Sequence, residues 1–263
     1  MKNIERLDKI LANCGFGTRK EVKKIIRYEE VLVNGVRVHN PEFHVDSDCD
    51  EIKINGEILV VEKHSYFMMN KKAGAVCSTK SDSHRTVYEF LEEADNQKRL
   101  GGSLSTVGRL DADTEGLLIF TTDGELNHRL TFPKYEVKKT YLVHLRDSVG
   151  DDKKSEYIEK AKIGVHMPAA ANDPECDAKP CSIEFLEDDK CTITVTEGRF
   201  HEVKRIFIAL GNEVEYLKRL RMGTLSLDES LEPGSYRPLT EDELESLKEL
   251  VSNVLYHVKT LPK

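Results

Sequence analysis

The sequence has no long apolar segment. Its longest uninterrupted apolar run is the five-residue stretch from Ile206 to Leu210, whereas a membrane-spanning helix needs roughly 20 such residues. The N-terminus carries basic residues without the apolar stretch of a secretory signal behind them. These absences argue against a membrane span and predict a cytoplasmic location.

The sequence also lacks the usual metal, disulfide and nucleotide patterns. No two of the six cysteines form a C-x-x-C pair, and P-loop and dinucleotide fingerprints are missing. We therefore expect reduced thiols, no bound metal and no cofactor. The cysteines are Cys14, Cys49, Cys77, Cys176, Cys181 and Cys191.

What is present is typical of a globular protein with one medium domain and a small appendage. The 263 residues are 39% hydrophobic and 33% charged, with a net charge of −8. The total argues against a surface that is basic all over. However, residues 1–40 hold nine basic and five acidic side chains, so they carry +4 and the remainder carries −12. The front of the chain is expected to meet an anion.

Thr18-Arg-Lys-Glu21 is a capping-box pattern that predicts a helix over residues 18–28. Val22, Ile25 and Ile26 would form its inner stripe. A solvated surface is the plainer interpretation of the opposite face, which is basic. Its cations are Arg19, Lys20, Lys23, Lys24 and Arg27.

Two Asn-Gly pairs, Asn34-Gly35 and Asn55-Gly56, each lie between short β-prone runs and predict two hairpins. In the same region the segments Arg6-Leu-Asp-Lys9, Gly17-Thr-Arg-Lys-Glu21 and Val33-Asn-Gly35 resemble the S4 RNA-binding module. The resemblance implies two helices and a small sheet that hold structured RNA, with Arg6, Lys9 and the basic helix face as contacts.

The remainder is predicted to be α+β, with strands dominating and helices interspersed. We place an S4-like domain at residues 1–61, a linker at 62–65 and a second domain at 66–263. Thr240-Glu-Asp-Glu243 is another capping box, and apolar residues at helical spacing extend from it to about residue 256. Further helices are expected near residues 83–94, 123–130, 151–161 and 200–210.

The stretch from Val107 to Gly124 carries the most information. Gly108 and Gly116 allow backbone turns, and Leu117–Phe120 reads as a buried strand. Asp111 therefore lies on an irregular loop held by rigid structure, where functional groups are common. On its own, Asp111 next to Arg109 is only an acidic residue in a loop. Asp113 is expected to orient that loop, and Asp123 to form a turn.

Gly108-Arg-Leu-Asp111, followed by Thr114-x-Gly116-Leu, is similar to the catalytic motif of the RsuA branch of pseudouridine synthases. The similarity covers nearly all of the remaining chain. It implies a mostly antiparallel mixed-sheet catalytic domain in which Asp111 is the essential residue. It also implies that the target uridine leaves its stack, and Arg109 is our candidate to fill the vacated space.

Further segments resemble the same family in the same order. Asn70-Lys71-Lys72-Ala-Gly74 matches a strand and turn, with Lys72 replacing the usual proline. Lys139-Thr-Tyr141 matches the motif whose tyrosine stacks on the target base and is a candidate for proton abstraction.

The stretch from Glu197 to Arg205 matches a third family motif, with Glu202 where glutamine is usual. The resemblance implies that Lys204 pairs with Asp111, and that Leu217 forms an apolar pocket wall. Arg199, His201 and Arg205 are predicted RNA contacts. A cluster of solvated cations at a helix start is the plainer interpretation of Arg199, Lys204 and Arg205, and a structural role is the plainer one for His201.

The resemblance implies isomerisation of a uridine in ribosomal RNA to pseudouridine, with Asp111 acting either as a nucleophile at C1′ or by removing the 2′ proton. We favour 16S rRNA or an assembling small subunit as partner, and a monomeric enzyme without membrane contact. Segments 76–79, 84–87 and 238–241 look closer to the small-subunit type. The alternatives are a 23S rRNA enzyme of the same family, a non-catalytic ribosome-assembly protein, and a glycoside hydrolase, which needs two carboxylates.

Overall fold

The computed structural model describes residues 4–47, 49–59, 64–92, 95, 104–171 and 173–259, with side chains to residue 252. It splits into two compact units. The first comprises residues 1–66, 88–106 and 120–124, and the second comprises 67–87, 107–119 and 125–263. Among the described helices none is long and apolar enough to cross a membrane.

The start of the first unit contains two helices and two small sheets. Strands β3, β2, β5 and β6 form one sheet in that order, and β1 pairs with β4 in the other. The elements are β1 (Ile4–Arg6), α1 (Leu7–Asn13), α2 (Arg19–Tyr28), β2 (Val31–Val33), β3 (Val36–Arg37), β4 (His44–Asp46), β5 (Ile52–Ile54) and β6 (Glu57–Ile58).

Helix α2 forms as its sequence predicts. The Glu21 N–H donates to the Thr18 hydroxyl, and the Thr18 N–H donates to the Glu21 carboxylate, which completes the capping box. Val22 and Ile26 are fully buried in the core shared with α1 and the sheet, and Ile25 packs against it. The apolar stripe therefore fixes which face of α2 is turned to solvent.

Both predicted hairpins are confirmed. Asn34 and Asn55 have φ values of 51°, and each is followed by a glycine with positive φ. Two successive residues with positive φ form a hairpin turn whose twist matches that of the flanking strands. Leu32 pairs with Arg37 in the first hairpin, and Lys53 pairs with Ile58 in the second.

The remaining strands are β7 (Tyr66–Lys71), β8 (Ala75–Val76), β9 (Arg85–Thr86), β10 (Ser105–Thr106), β11 (Glu115–Thr121), β12 (Lys139–Leu145), β13 (His166–Met167), β14 (Cys176–Asp177), β15 (Ser182–Phe185), β16 (Lys190–Val195), β17 (Val214–Met222), β18 (Leu225–Ser226) and β19 (Tyr236–Pro238). Most of them form a mixed sheet with the order β15-β16-β12-β17-β11-β7-β19, in which β10 also pairs with β11 and β18 with β17. Strands β8 and β9 form a separate short pair, as do β13 and β14.

Strand β17 lies between β12 and β11, antiparallel to the first and parallel to the second. At the parallel contact Gly116 pairs with Arg219 and has a φ of +96°. A Cβ at this position would lie 2.3 Å from the Arg219 carbonyl oxygen. Only glycine lets the two backbones approach this closely. The predicted buried strand is confirmed, since Leu117 and Phe120 are fully buried.

Four α-helices follow in the described residues after position 104: α3 (Gly124–Thr131), α4 (Asp151–Ile163), α5 (Glu202–Leu210) and α6 (Glu241–Lys259). They confirm the helices expected near 123–130, 151–161, 200–210 and after Thr240. The Thr240 capping box is formed, because its N–H donates to Glu243 and its hydroxyl accepts the Glu243 N–H.

The helix expected near residues 83–94 is wrong over the described part of that range. Arg85–Thr86 is a strand that pairs in parallel with Ala75–Val76, and Val87–Phe90 is a single 3-10 turn. The Ser81 hydroxyl accepts the His84 N–H and fixes a turn before this strand, so the backbone does not enter a helix there.

Of the predicted linker, Glu62 and Lys63 lie outside the described residues. Ser65 at its end is buried, and its N–H donates to the Thr122 hydroxyl. All six cysteines lie in the described part and are free thiols.

Candidate active site

Asp111 lies on the irregular loop between β10 and β11, as expected. Gly108 in this loop has a φ of +69°. The following Leu110 is buried, its N–H donates to the Cys77 sulfur at 3.4 Å, and the Cys77 thiol donates to the Leu110 carbonyl at 3.5 Å. Burial raises the pKa of Cys77, so the thiol stays protonated and can donate. The loop is therefore anchored on one side of Asp111.

Lys71 anchors the other side of the loop. Its ammonium donates to the carbonyl oxygens of Asp111 at 3.0 Å, Ala112 at 3.2 Å and Thr114 at 2.8 Å, and more weakly to that of Lys72. The residue is fully buried, and burial lowers the pKa of its ammonium. Lys71 belongs to the Asn70–Gly74 motif, but the sequence alone assigned it no role. The available signal was a lysine that ends a strand of buried residues.

Two side chains from the start of α5 approach the Asp111 carboxylate. His201 Nε2 lies 3.6 Å from Oδ1, and Lys204 Nζ lies 3.7 Å from Oδ2. Lys204 is thus close enough to pair with Asp111, as the resemblance implies, but its short hydrogen bonds, both of 2.7 Å, go to Asp113. Burial alone would raise the pKa of Asp113, yet the Lys204 bond and charge outweigh it and lower that pKa. Lys204 therefore serves both carboxylates.

His201 holds an unusual backbone conformation. Its φ of 49° lies in the left-handed region, where non-glycine residues are uncommon and cluster at functional sites. Its ring stacks on Phe200 with centroids 3.8 Å apart and planes 18° apart. Phe200 remains partly exposed beside Asp111. Phe200 is not among the predicted site residues.

Tyr141 lies on β12, where its neighbours across the sheet are Ile193 and Arg219. The residue is 8% exposed and lines the same space as Asp111. Burial raises the pKa of its phenol, and the charge of Arg219 offsets only part of that. Tyr141 is therefore a neutral phenol at neutral pH. Arg219 is buried, and its Nε donates to the Leu117 carbonyl at 2.7 Å.

The space around Asp111 and Tyr141 has two parts. A cavity of about 490 Å³ is also lined by Arg109, Arg199 and Phe200. A smaller pocket of about 60 Å³ is lined in addition by Glu202, Lys204 and Leu217. We call this pocket the Asp111 pocket. Leu217 is buried and supplies the predicted apolar wall.

The structure does not support the predicted RNA contact of Arg205. The side chain is 1% exposed, and its guanidinium donates to the carbonyls of Pro168 at 2.8 Å and Pro174 at 2.6 Å, and to the Asp173 carboxylate. Consecutive helical residues point about 100° apart, so Lys204 faces Asp111 while Arg205 faces inward. Arg205 holds Pro168, Asp173 and Pro174 against α5.

The other predicted RNA contacts of the second unit lie where an RNA can reach them. Arg109 and Arg199 are exposed at the cavity of about 490 Å³. Arg199 also contacts the buried Glu197 carboxylate, with 3.3 Å between Nε and Oε2.

In the first unit, Arg19, Lys20, Lys24 and Arg27 are exposed on α2, and Lys23 is partly exposed. Arg6 and Lys9 are less available. Arg6 donates twice to the buried Asp8 carboxylate, and Lys9 forms an ion pair with Glu5 at 3.1 Å. Among the predicted contacts of this unit, those on α2 are therefore the more available. No group of side chains suited to hold a metal ion is found among the described residues.

The site combines the Asp111 carboxylate on an anchored loop with the Tyr141 ring and the Lys204 ammonium. Comparison with known proteins shows to which family the chain belongs. The RNA pseudouridylate synthase family model matches residues 65–209, and the S4 domain model matches residues 5–52. The chain belongs to the RNA pseudouridylate synthase family.

The relatives confirm the predicted resemblance to the RsuA type. The chain is 41% identical over 244 residues to ribosomal small subunit pseudouridine synthase A of Haemophilus influenzae, covering 92% of this chain and 99% of that protein. It is 40% identical to the uncharacterized RNA pseudouridine synthase YtzG of Bacillus subtilis, covering 93% and 98%. A crystal structure of a pseudouridylate synthase matches with a TM-score of 0.62 and 41% identity, over 92% of this chain and 99% of that one.

Proposed function

We propose that this chain converts one uridine of 16S ribosomal RNA to pseudouridine, with Asp111 as the catalytic residue. The observation that carries this is the anchored Asp111 carboxylate, with Lys204 and His201 within 4 Å of it, at a cavity that Tyr141 also lines. The reaction is an isomerisation. The N1–C1′ bond breaks, a C5–C1′ bond forms, C5 loses a proton and N1 gains one, so neither water nor a redox partner is consumed.

Two routes suit Asp111. Its carboxylate attacks C1′ as a nucleophile, or it removes the 2′ proton as a base. Both require a carboxylate held in one place, which the Lys71 ammonium supports through the loop backbone. Both routes also require that the negative charge of the Asp111 carboxylate be compensated. The Lys204 ammonium, 3.7 Å from Asp111 Oδ2, can supply the opposite charge.

Tyr141 and Leu217 supply the walls for the target base. A neutral phenol stacks well, but a phenol that keeps its proton is a weak base. The raised pKa of Tyr141 therefore favours stacking over acceptance of the C5 proton. The exposed Phe200–His201 pair offers a further surface on which a neighbouring nucleotide can stack.

The target uridine has to leave its stack to reach Asp111, at a cost of a few kcal/mol. Arg109 is exposed at the cavity and is placed to occupy the gap that the base leaves. The α2 cations of the S4 module contribute a local, salt-sensitive grip on RNA phosphates. This accounts for RNA binding by a chain whose net charge is −8.

The small-subunit target rests on relatives that are named ribosomal small subunit pseudouridine synthase A. Mapping pseudouridines in ribosomal RNA from a strain lacking this gene tests it, and loss of a site in 23S rRNA alone would refute it. We further propose domains at 1–61 and 66–263 joined by 62–65, and a monomer that acts in the cytoplasm.

Replacement of Asp111 by asparagine tests the chemistry. The Asp111→Asn chain should bind ribosomal RNA transcripts as the wild type does and form no pseudouridine in a single-turnover assay. Asp113→Asn is the matched control, because it removes the neighbouring carboxylate on the same loop and should still give product. Appreciable product from Asp111→Asn would exclude the catalytic role, whereas no product from the wild type on any ribosomal RNA would favour a non-catalytic assembly protein.

A further inference from the structure

Glu202 is a buried carboxyl group that takes no part in the steps assigned to Asp111, Tyr141 and Lys204. It is the first residue of α5, it is 6% exposed, and it lines the Asp111 pocket together with Tyr141 and Leu217. Its own backbone N–H donates to the Arg199 carbonyl at 3.2 Å. The backbone N–H of Arg199 bonds to its carboxyl group and favours the ionised form, but no side chain among the described residues donates to it. Burial of an acid with a single donor is costly unless a ligand supplies a further partner.

The surroundings of Glu202 do not supply a side-chain donor. The carboxylate of Glu197 is close enough to act on it unfavourably, while the charges of Lys139 and Arg199 act in the opposite direction. The Lys139 ammonium donates to the Val137 carbonyl at 3.0 Å and forms no hydrogen bond with Glu202 among the described residues. The carboxyl group of Glu202 can therefore accept a further partner from a group that enters the pocket.

The uracil base matches this group chemically. Its imide edge presents an N3–H donor beside the O4 acceptor. A protonated carboxyl group presents an acceptor beside an O–H donor at the same spacing. We propose that Glu202 reads the imide edge of the target base in the Asp111 pocket, accepting from N3–H and donating to O4. This rests on the proposed function and extends it to recognition of the base.

The electrostatics of the pocket favour the protonated form that such pairing needs. Burial, reinforced by the Glu197 carboxylate, raises the pKa of Glu202 to about 7. The other titratable or charged groups that act on Glu202, or on which it acts, are Arg199, Lys139, Tyr141 and Cys181. A bound uracil raises the fraction of protonated Glu202 further, because only this form donates to O4.

The test uses the full-length chain and a ribosomal RNA transcript that it modifies. Glu202→Gln keeps an acceptor and a donor but does not titrate, whereas Glu202→Leu removes both. At pH 7 we expect Glu202→Gln to retain kcat/KM close to the wild type, and Glu202→Leu to lose about 10-fold to 100-fold. As pH rises through about 7, kcat/KM of the wild type should fall and that of Glu202→Gln should not.

A modified substrate separates recognition from a structural role. A transcript with 3-methyluridine at the target has no N3–H donor, so the wild type and Glu202→Gln should discriminate against it more strongly than Glu202→Leu does. Glu249→Gln, which changes an exposed carboxylate of α6, is the matched control and should match the wild type throughout. Unchanged pH profiles in Glu202→Gln, or equal discrimination by Glu202→Leu, would overturn the proposal alone. Absence of pseudouridine with the wild-type chain would refute the proposed function as well.

Discussion

Replacement of Lys71 by methionine tests how the Asp111 loop is held. Methionine has nearly the same length and fills the buried space, but it removes the donor to the carbonyls of Asp111, Ala112 and Thr114. A buried carbonyl that loses its donor costs about 1–3 kcal/mol. Of the four bonds only the one to Thr114 is fully buried, and the others can be replaced by water. We expect the free energy of unfolding to fall by about 2–4 kcal/mol.

The same change should slow the reaction more than it weakens RNA binding. A displacement of about 1 Å at a reacting group lowers rates by about 100-fold. Urea denaturation gives the stability, single-turnover kinetics the rate, and filter binding the RNA affinity. Lys72→Met, at the exposed neighbour, is the control and should change none of them.

Two results would refute this reasoning. The first is a wild-type rate for folded Lys71→Met, because the loop would then hold Asp111 without the ammonium. The second is a loss of rate that only follows the unfolded fraction, because Lys71 would then stabilise the fold without positioning the carboxylate.

Two further changes address the predicted RNA contacts. Arg205→Met should lower the free energy of unfolding by about 1–3 kcal/mol, since it removes the donor to the Pro168 and Pro174 carbonyls and the partner of the partly exposed Asp173 carboxylate, and it should leave the salt dependence of RNA binding unchanged. A weaker salt dependence in the folded variant would restore Arg205 as an RNA contact. Combined Lys20→Gln and Lys24→Gln should weaken RNA binding and lower the slope of log K against log salt by about 1.5, because two phosphate contacts are lost. In the same titration Lys162→Gln, on α4, should leave the slope unchanged, and an unchanged slope in the double variant would contradict the role of α2.

The parts of the fold that the sequence predicts correctly depend on neighbours along the chain. The capping box of Thr18 and Glu21 spans four residues, and the Asn34-Gly35 turn needs only two adjacent residues that accept positive φ. The family resemblance added Asp111, whose loop position the structure confirms. Its catalytic role remains a prediction.

The parts that failed or were missed depend on distant contacts. Lys71 meets carbonyls about 40 positions later in the chain, and the partner of Arg219 lies 102 positions earlier. Adjacent cations such as Lys204 and Arg205 look alike in sequence, but the helix turns one toward Asp111 and the other into the interior. The helix expected near residues 83–94 does not form over the described part of that range for a similar reason. Arg85 and Thr86 pair with Ala75 and Val76 in a parallel strand.

Because β17 lies between β12 and β11, a growing chain cannot complete this sheet until β17 has been synthesised. Until residues 214–222 have left the ribosome, β11 and β12 each expose an unpaired edge. At about 5–20 residues per second, the interval between the end of β12 and the end of β17 lasts about 4–15 s. During this interval the pocket beside the Asp111 loop is incomplete. The unpaired edges of β11 and β12 can meanwhile pair with other chains and aggregate. We therefore expect the yield of active molecules to depend on protection of these strand edges during synthesis.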